Sequence, residues 1–100
     1  MTISILRLAL DDLQQIHERL SGFGDVPPKV FRESFEGFIR NISANPLMYS
    51  QYPYDPDYRR AVIAYDHLVF YRVDNEAIRV YRVLHSKRNV IPLLANNGVD

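Results

Sequence analysis

Residues 31–42 place the strongest constraint on this chain. Phe31, Phe35, Phe38 and Ile42 stand at i, i+4, i+7 and i+11, with Val30 and Ile39 beside them. That spacing lays one apolar stripe along an α-helix. Lys29, Arg32, Glu33, Glu36 and Arg40 fill much of the opposite surface. Pro27 and Pro28 suit the entry, because a first-turn proline gives up no intrahelical hydrogen bond. Three large rings on one stripe need cover from elsewhere in the chain.

Residues 59–85 supply a candidate lid. "RRAVIA", "LVFYRV" and "AIRVYRVLH" are rich in β-branched and aromatic residues. "YDH" (65–67) and "DNE" (74–76) separate them with turn-forming Asp and Asn. Short consecutive strands predict an antiparallel meander. In the last strand, alternation puts Ile78, Val80, Arg82 and Leu84 on one side and Arg79, Tyr81, Val83 and His85 on the other.

Upstream, Ile3 to Leu8 reads as a first strand. "LDDLQQIHERL" follows, with Leu10, Leu13, Ile16 (or His17) and Leu20 along one helical side. Asp11 and Asp12 are expected near its start, where carboxylates favour the positive end of the helix dipole. Gly22 and Gly24 stop it. Two helices with a short link predict an antiparallel hairpin. Residues 41–58 read as a loop, since Pro46, Pro53 and Pro56 forbid a long helix. Asn45–Pro46 and Asp55–Pro56 are turn signals there, with a short extended piece at Leu47–Tyr49. Its tyrosines, Tyr49, Tyr52, Tyr54 and Tyr58, read as pins onto the body, with stacking on nucleic-acid bases as the alternative. The expected fold is α+β in the order β-α-α-β-β-β. The helical hairpin packs on one face of a small, mainly antiparallel sheet and leaves the opposite face or its end open.

The length of 100 residues suits one domain, 1–100. With 47% hydrophobic residues and zero formal net charge, the composition is that of a folded domain, not a disordered chain. Cysteine is absent, so disulfides, thiolate metal sites and a cysteine nucleophile are excluded. No phosphate-binding glycine loop, paired-histidine zinc spacing or serine elbow occurs. No metal and no cofactor are therefore expected. Arg7, Asp11 and Asp12 break the apolar start, which does not read as a signal peptide, and no stretch is long and apolar enough to span a bilayer. A cytoplasmic location is the expectation.

Charge is unevenly spread. Residues 59–88 hold seven Arg and Lys against three Asp and Glu, or +4, which leaves −4 for the remainder. Such asymmetry suits an anionic partner, or else a sheet with solvated cations. Arg59, Arg60, Arg82, His85, Lys87 and Arg88 would form one constellation if the entry to the second strand and the exit of the fourth came together. That group could clamp a phosphodiester and steady charge developing on it, or dock on an acidic protein. Metal-free RNA cleavage needs a base, an acid and cations at one phosphate. His85 would be the natural proton-transfer group near neutral pH, and Tyr81 is the nearest second candidate, although a mid-strand tyrosine is usually a packing residue.

"DYRRAVIAYDHLVFYRVDNEAIRVYRVLHSKRNV" (57–90) resembles the C-terminal sheet of the RelE/ParE superfamily, toxins of bacterial type II toxin–antitoxin modules. Tyr58–Arg59, Phe70–Tyr71–Arg72–Val73 and Arg82–Val83–Leu84–His85 with Arg88 stand where the family has its aromatic–Arg pair, its middle strand and its "R-V-L-H-x-x-R" ending. "ALDDLQQI" (9–16) and "ISANP" (42–46) are similar to the family's opening helix and its following proline run. The resemblance implies a growth-inhibiting toxin held inactive by a cognate antitoxin, a helix and extended tail of which wrap the toxin's helices and sheet. Two targets follow from it: DNA gyrase, poisoned by protein contact, and ribosome-bound mRNA, cut without a metal. An inactive structural relative is the third possibility. Under the ribonuclease reading Arg59, Arg60, His85, Lys87 and Arg88 are catalytic. Arg59, Arg82, Lys87 and Arg88 are the target- or phosphate-binding set. "RVLHSKRNV" is closer to the ParE-like ending, and the tail "PLLANNGVD" has neither tyrosine nor histidine, so gyrase is slightly favoured.

Overall fold

The computed structural model describes residues 1–95. In chain order the elements are β1 (Thr2–Ile5), α1 (Arg7–Ser21), α2 (Val26–Ala44), β2 (Gln51–Tyr52), β3 (Asp55–Ile63), β4 (His67–Val73), β5 (Ala77–His85) and α3 (Val90–Ala95). The five strands form one sheet in the order β1-β5-β4-β3-β2. Only the β1–β5 pairing is parallel. The expected order of elements is met, with β2 and α3 in addition. Of the tail "PLLANNGVD", residues 92–95 fall in α3, and 96–100 lie outside the described residues.

α2 forms as its spacing demands. Pro27 and Pro28 occupy its first turn, and Phe31, Phe35, Phe38 and Ile42 are all buried. They pack with Ala61, Ile63, Val69, Tyr71, Ile78, Val80 and Val83 from the sheet. Fully burying each such side chain stabilises the fold by about 1.5–3 kcal/mol.

α1 departs from the expectation. It starts at Arg7, so β1 ends at Ile5 and no acid lies in the first turn. Its inward face is Ala9, Asp12, Ile16 and Leu20, while Leu10 is exposed. Asp12 points inward because a cation meets it there. Its carboxylate accepts from Arg82 Nε at 2.8 Å and Nη2 at 2.9 Å, and from the Val83 N–H at 3.0 Å.

Residues 45–58 also differ. Asn45 Oδ1 accepts the Leu47 N–H, consistent with the turn expected at Asn45–Pro46. The extended piece is Gln51–Tyr52, not Leu47–Tyr49. The second turn is at Pro53–Tyr54, and Asp55 and Pro56 already belong to β3. The tyrosines act mainly as pins. Tyr49, Tyr52 and Tyr58 pack against core rings, and Tyr54 is exposed.

β5 contains a bulge. Phe70 pairs with Arg82 but Tyr71 pairs with Val80, so Tyr81 is an extra residue. Strict alternation fails from there on. Val83 joins Ile78 and Val80 on the helix side, whereas Leu84 falls in a second cluster with Tyr52, Tyr58, Leu68, Phe70, Val90 and Leu94. The face opposite the helical hairpin is therefore not bare: aromatic rings and α3 cover part of it.

His67 is the other buried polar group of note, 1% exposed. Its Nε2 faces Arg19 Nη2 at 3.0 Å, and its Nδ1 faces the Ala64 carbonyl at 2.9 Å. Arginine can only donate, so Nε2 accepts and the ring is neutral with its proton on Nδ1. Phe31 and His85 meet it edge-on. Burial depresses its pKa, and the nearby Arg19 and His85 charges add to this against the Ala64 hydrogen bond.

Two outcomes are expected. Asp12→Ala strands a buried guanidinium and costs about 3–5 kcal/mol in urea unfolding; the Asp12→Ala/Arg82→Met double variant loses less than the sum of the singles. His67 binds a proton more readily unfolded than folded, so its contribution is full above about pH 6.5 and falls as the pH drops through that value. Unfolding curves from pH 7.5 down to about 5 should show that decline, and His67→Gln should flatten it.

Candidate functional site

The cations of residues 59–88 are dispersed over the molecule. Arg59 lies on the helix side of β3, opposite Tyr71. Its Nη1 donates to the Tyr49 carbonyl at 2.8 Å and the Leu47 carbonyl at 3.4 Å. Tyr71 Oη donates to the Pro46 carbonyl at 2.9 Å. Together they fasten the segment between α2 and β2 to the sheet.

Arg60, the next residue, faces the other way. It is exposed, with its guanidinium 5.6 Å from the Tyr52 ring centroid. Arg82 is buried in the Asp12 pair, and its Nη1 donates to the Leu93 carbonyl of α3 at 3.2 Å. The Asp12 hydrogen bond raises the Arg82 pKa, so it stays a fixed cation.

His85, Lys87 and Arg88 lie together at the end of β5. His85 is half-buried; its Nδ1 accepts the Lys87 N–H at 3.1 Å, and the Arg88 N–H donates to the His85 carbonyl at 2.9 Å. The Lys87 and Arg88 side chains are exposed.

The expected meeting of the β3 entry with the β5 exit does not occur. Both strands are antiparallel to β4, so they run parallel to each other. Arg59 stands in the row of Tyr71 and Val80, whereas His85 stands in the row of His67 and Ile63, four residues further along β3. At about 3.3 Å per residue this separates the rows by roughly 13 Å. The structure thus brings His85 together with Lys87 and Arg88. It does not bring Arg59, Arg60 or Arg82 to them.

Sequence reasoning missed a different arrangement. Arg72 of β4 lies over the Tyr58 ring, 4.3 Å from its centroid, and 4.9 Å from that of Tyr81. The two rings meet edge-on at 5.4 Å. Tyr58 is fully buried, which pushes its phenol pKa up against the pull of Arg72. Its Oη and Arg72 Nε are buried with no hydrogen-bond partner among the described residues. Alternation marks Tyr58 and Arg72 as outward of the helices, but their meeting with Tyr81 depends on strand register.

A second feature is an apolar groove of about 220 Å³ along the helical hairpin, lined by Leu13, His17, Pro28, Phe31, Arg32 and Phe35. Among the described residues no helix is long and apolar enough to cross a membrane.

No curated protein matches the chain significantly. Among solved structures, a chain of the chromosomal ParDE TA system from P. aeruginosa superposes with a TM-score of 0.62, covering 85% of this chain and 95% of that one. Identity is 14%, so this likeness establishes the fold. The family model described as ParE toxin of type II toxin-antitoxin system, parDE, matches residues 3–90. The chain belongs to the ParE toxin family.

Proposed function

We propose that this toxin acts in the cytoplasm by inhibiting DNA gyrase through protein contact, and that a cognate antitoxin holds it inactive. The observation that carries this reading is the ParE family match across residues 3–90. The dispersal of the cations supports it. Cutting a phosphodiester without a metal needs a base, an acid and cations around one phosphate. Arg59 is committed to loop carbonyls and Arg82 to Asp12. Arg60 lies on the Tyr52 ring on the other side of the sheet from Arg59. His85, Lys87 and Arg88 alone remain grouped among the proposed catalytic residues, with one imidazole between them.

The hairpin groove is the proposed antitoxin seat. Leu13, Phe31 and Phe35 line it, and exposed Leu10, one turn before Leu13 on α1, extends the apolar surface. Such a groove suits an amphipathic helix laid along it.

Purified toxin should inhibit supercoiling by purified gyrase and leave mRNA intact in a translating extract. Cleaved transcript with unimpaired supercoiling would replace this reading with the ribonuclease one, and Arg88→Ala would then abolish cutting. Leu10→Glu should weaken antitoxin affinity about tenfold or more in a calorimetric titration, while the variant still arrests growth.

A further inference from the structure

We propose that Arg72, clamped between Tyr58 and Tyr81, is the seat for an aspartate or glutamate side chain of the protein this toxin poisons. The inference rests on the protein-contact reading above and names the surface that makes the contact.

The clamp has the marks of a prepared anion receptor. The Arg72 guanidinium is held by two aromatic faces, at 4.3 and 4.9 Å. Its rotamer freedom is largely lost before any partner arrives, so less is lost on binding. Among the described residues the two ion pairs are Arg79–Asp74 and Arg82–Asp12, and neither involves Arg72. The side chain is only partly exposed and its Nε is buried without a hydrogen-bond partner. A half-desolvated cation with no carboxylate gains more from an incoming anion than a fully hydrated surface one.

The neighbourhood selects the kind of anion. Arg72 pairs across the sheet with Arg79, whose charge Asp74 already meets. Asp55 and Asp57 begin β3, and Asp74 and Glu76 lie in the β4–β5 turn, all at this end of the sheet. The surface is therefore mixed in sign around one unpaired arginine. A nucleic-acid backbone needs a track of several cations, and these acids would repel it. One carboxylate forked onto one guanidinium, with tyrosine rings as walls, fits the charge count. Exposed Tyr54 and the Arg60–Tyr52 pair extend the patch. Tyrosine and arginine are the residues that dominate protein interfaces.

The test uses full-length toxin with Arg72→Gln, which removes the charge, and Arg72→Lys, which keeps it but lacks the fork. Binding to purified gyrase is measured by calorimetry, with melting temperature and antitoxin affinity as checks on the fold. Arg72→Gln should bind about tenfold to a hundredfold more weakly, with Arg72→Lys between it and wild type and antitoxin affinity unchanged. Wild-type affinity in Arg72→Gln overturns the inference. If Arg72→Gln does not fold, Arg72→Lys decides: weaker binding at an unchanged melting temperature upholds the seat, and wild-type binding overturns it. If the wild-type toxin itself does not bind gyrase, the gyrase reading fails, and growth arrest decides the seat. A folded Arg72 variant that arrests growth like wild type overturns it; one that has lost arrest upholds it.

Discussion

The carboxylate of Asp12 holds the architecture together. β1 accompanies β5 only from Ala77 to Val80, and the Leu6 N–H closes that pairing on the Val80 carbonyl. Beyond this point the outer edge of β5 has no strand beside it among the described residues. An unpaired buried N–H there would carry the full desolvation penalty. Asp12 accepts the Val83 N–H and both nitrogens of the Arg82 fork. Arg82 in turn reaches the Leu93 carbonyl. One carboxylate thus joins α1, β5 and, through its partner, α3. Removing either charge of such a buried pair strands the other, so the loss of one partner costs more than the pair itself contributes.

That anchor divides the molecule into a closed side and a partly open one. On the closed side the α2 phenylalanines fill the space between hairpin and sheet. On the other, the second cluster is small and α3 covers only part of it. The bulge at Tyr81 makes the division possible. By adding one residue to β5 it returns Val83 to the closed side and turns Leu84 to the other face. Bulges recur where a strand must re-aim a side chain, and here the re-aimed residues include Arg82, which meets Asp12, and Leu84, which joins the second cluster.

The positive charge of residues 59–88 consequently has no single role. Arg59 and Arg82 are internal ties, Arg60 and Arg72 rest on tyrosine rings, and Lys87 and Arg88 stay in water. A cluster in sequence became several separate devices because antiparallel pairing sends successive residues to opposite faces and opposite ends. The closed side also offers a groove, since α1 turns Asp12 inward and leaves Leu10 and Leu13 toward the space beside α2.

Local pattern was enough for much of the fold. The period of Phe31, Phe35, Phe38 and Ile42, the prolines at 27 and 28 and the Asp- and Asn-bearing turns each act within a few residues, so the helical hairpin, the order of the elements and the family likeness could be read directly from the chain. Other features were decided by partners distant in sequence. Asp12 looked like a dipole-favouring surface acid until Arg82, seventy residues away, met it. The faces of Arg82 and Leu84 followed a bulge that no period-two pattern contains, and Arg72 found its rings only once β3, β4 and β5 were in register. Periodicity records which way a side chain points along its own element. Which group it meets there depends on the relative placement of elements, and only the packed structure sets that.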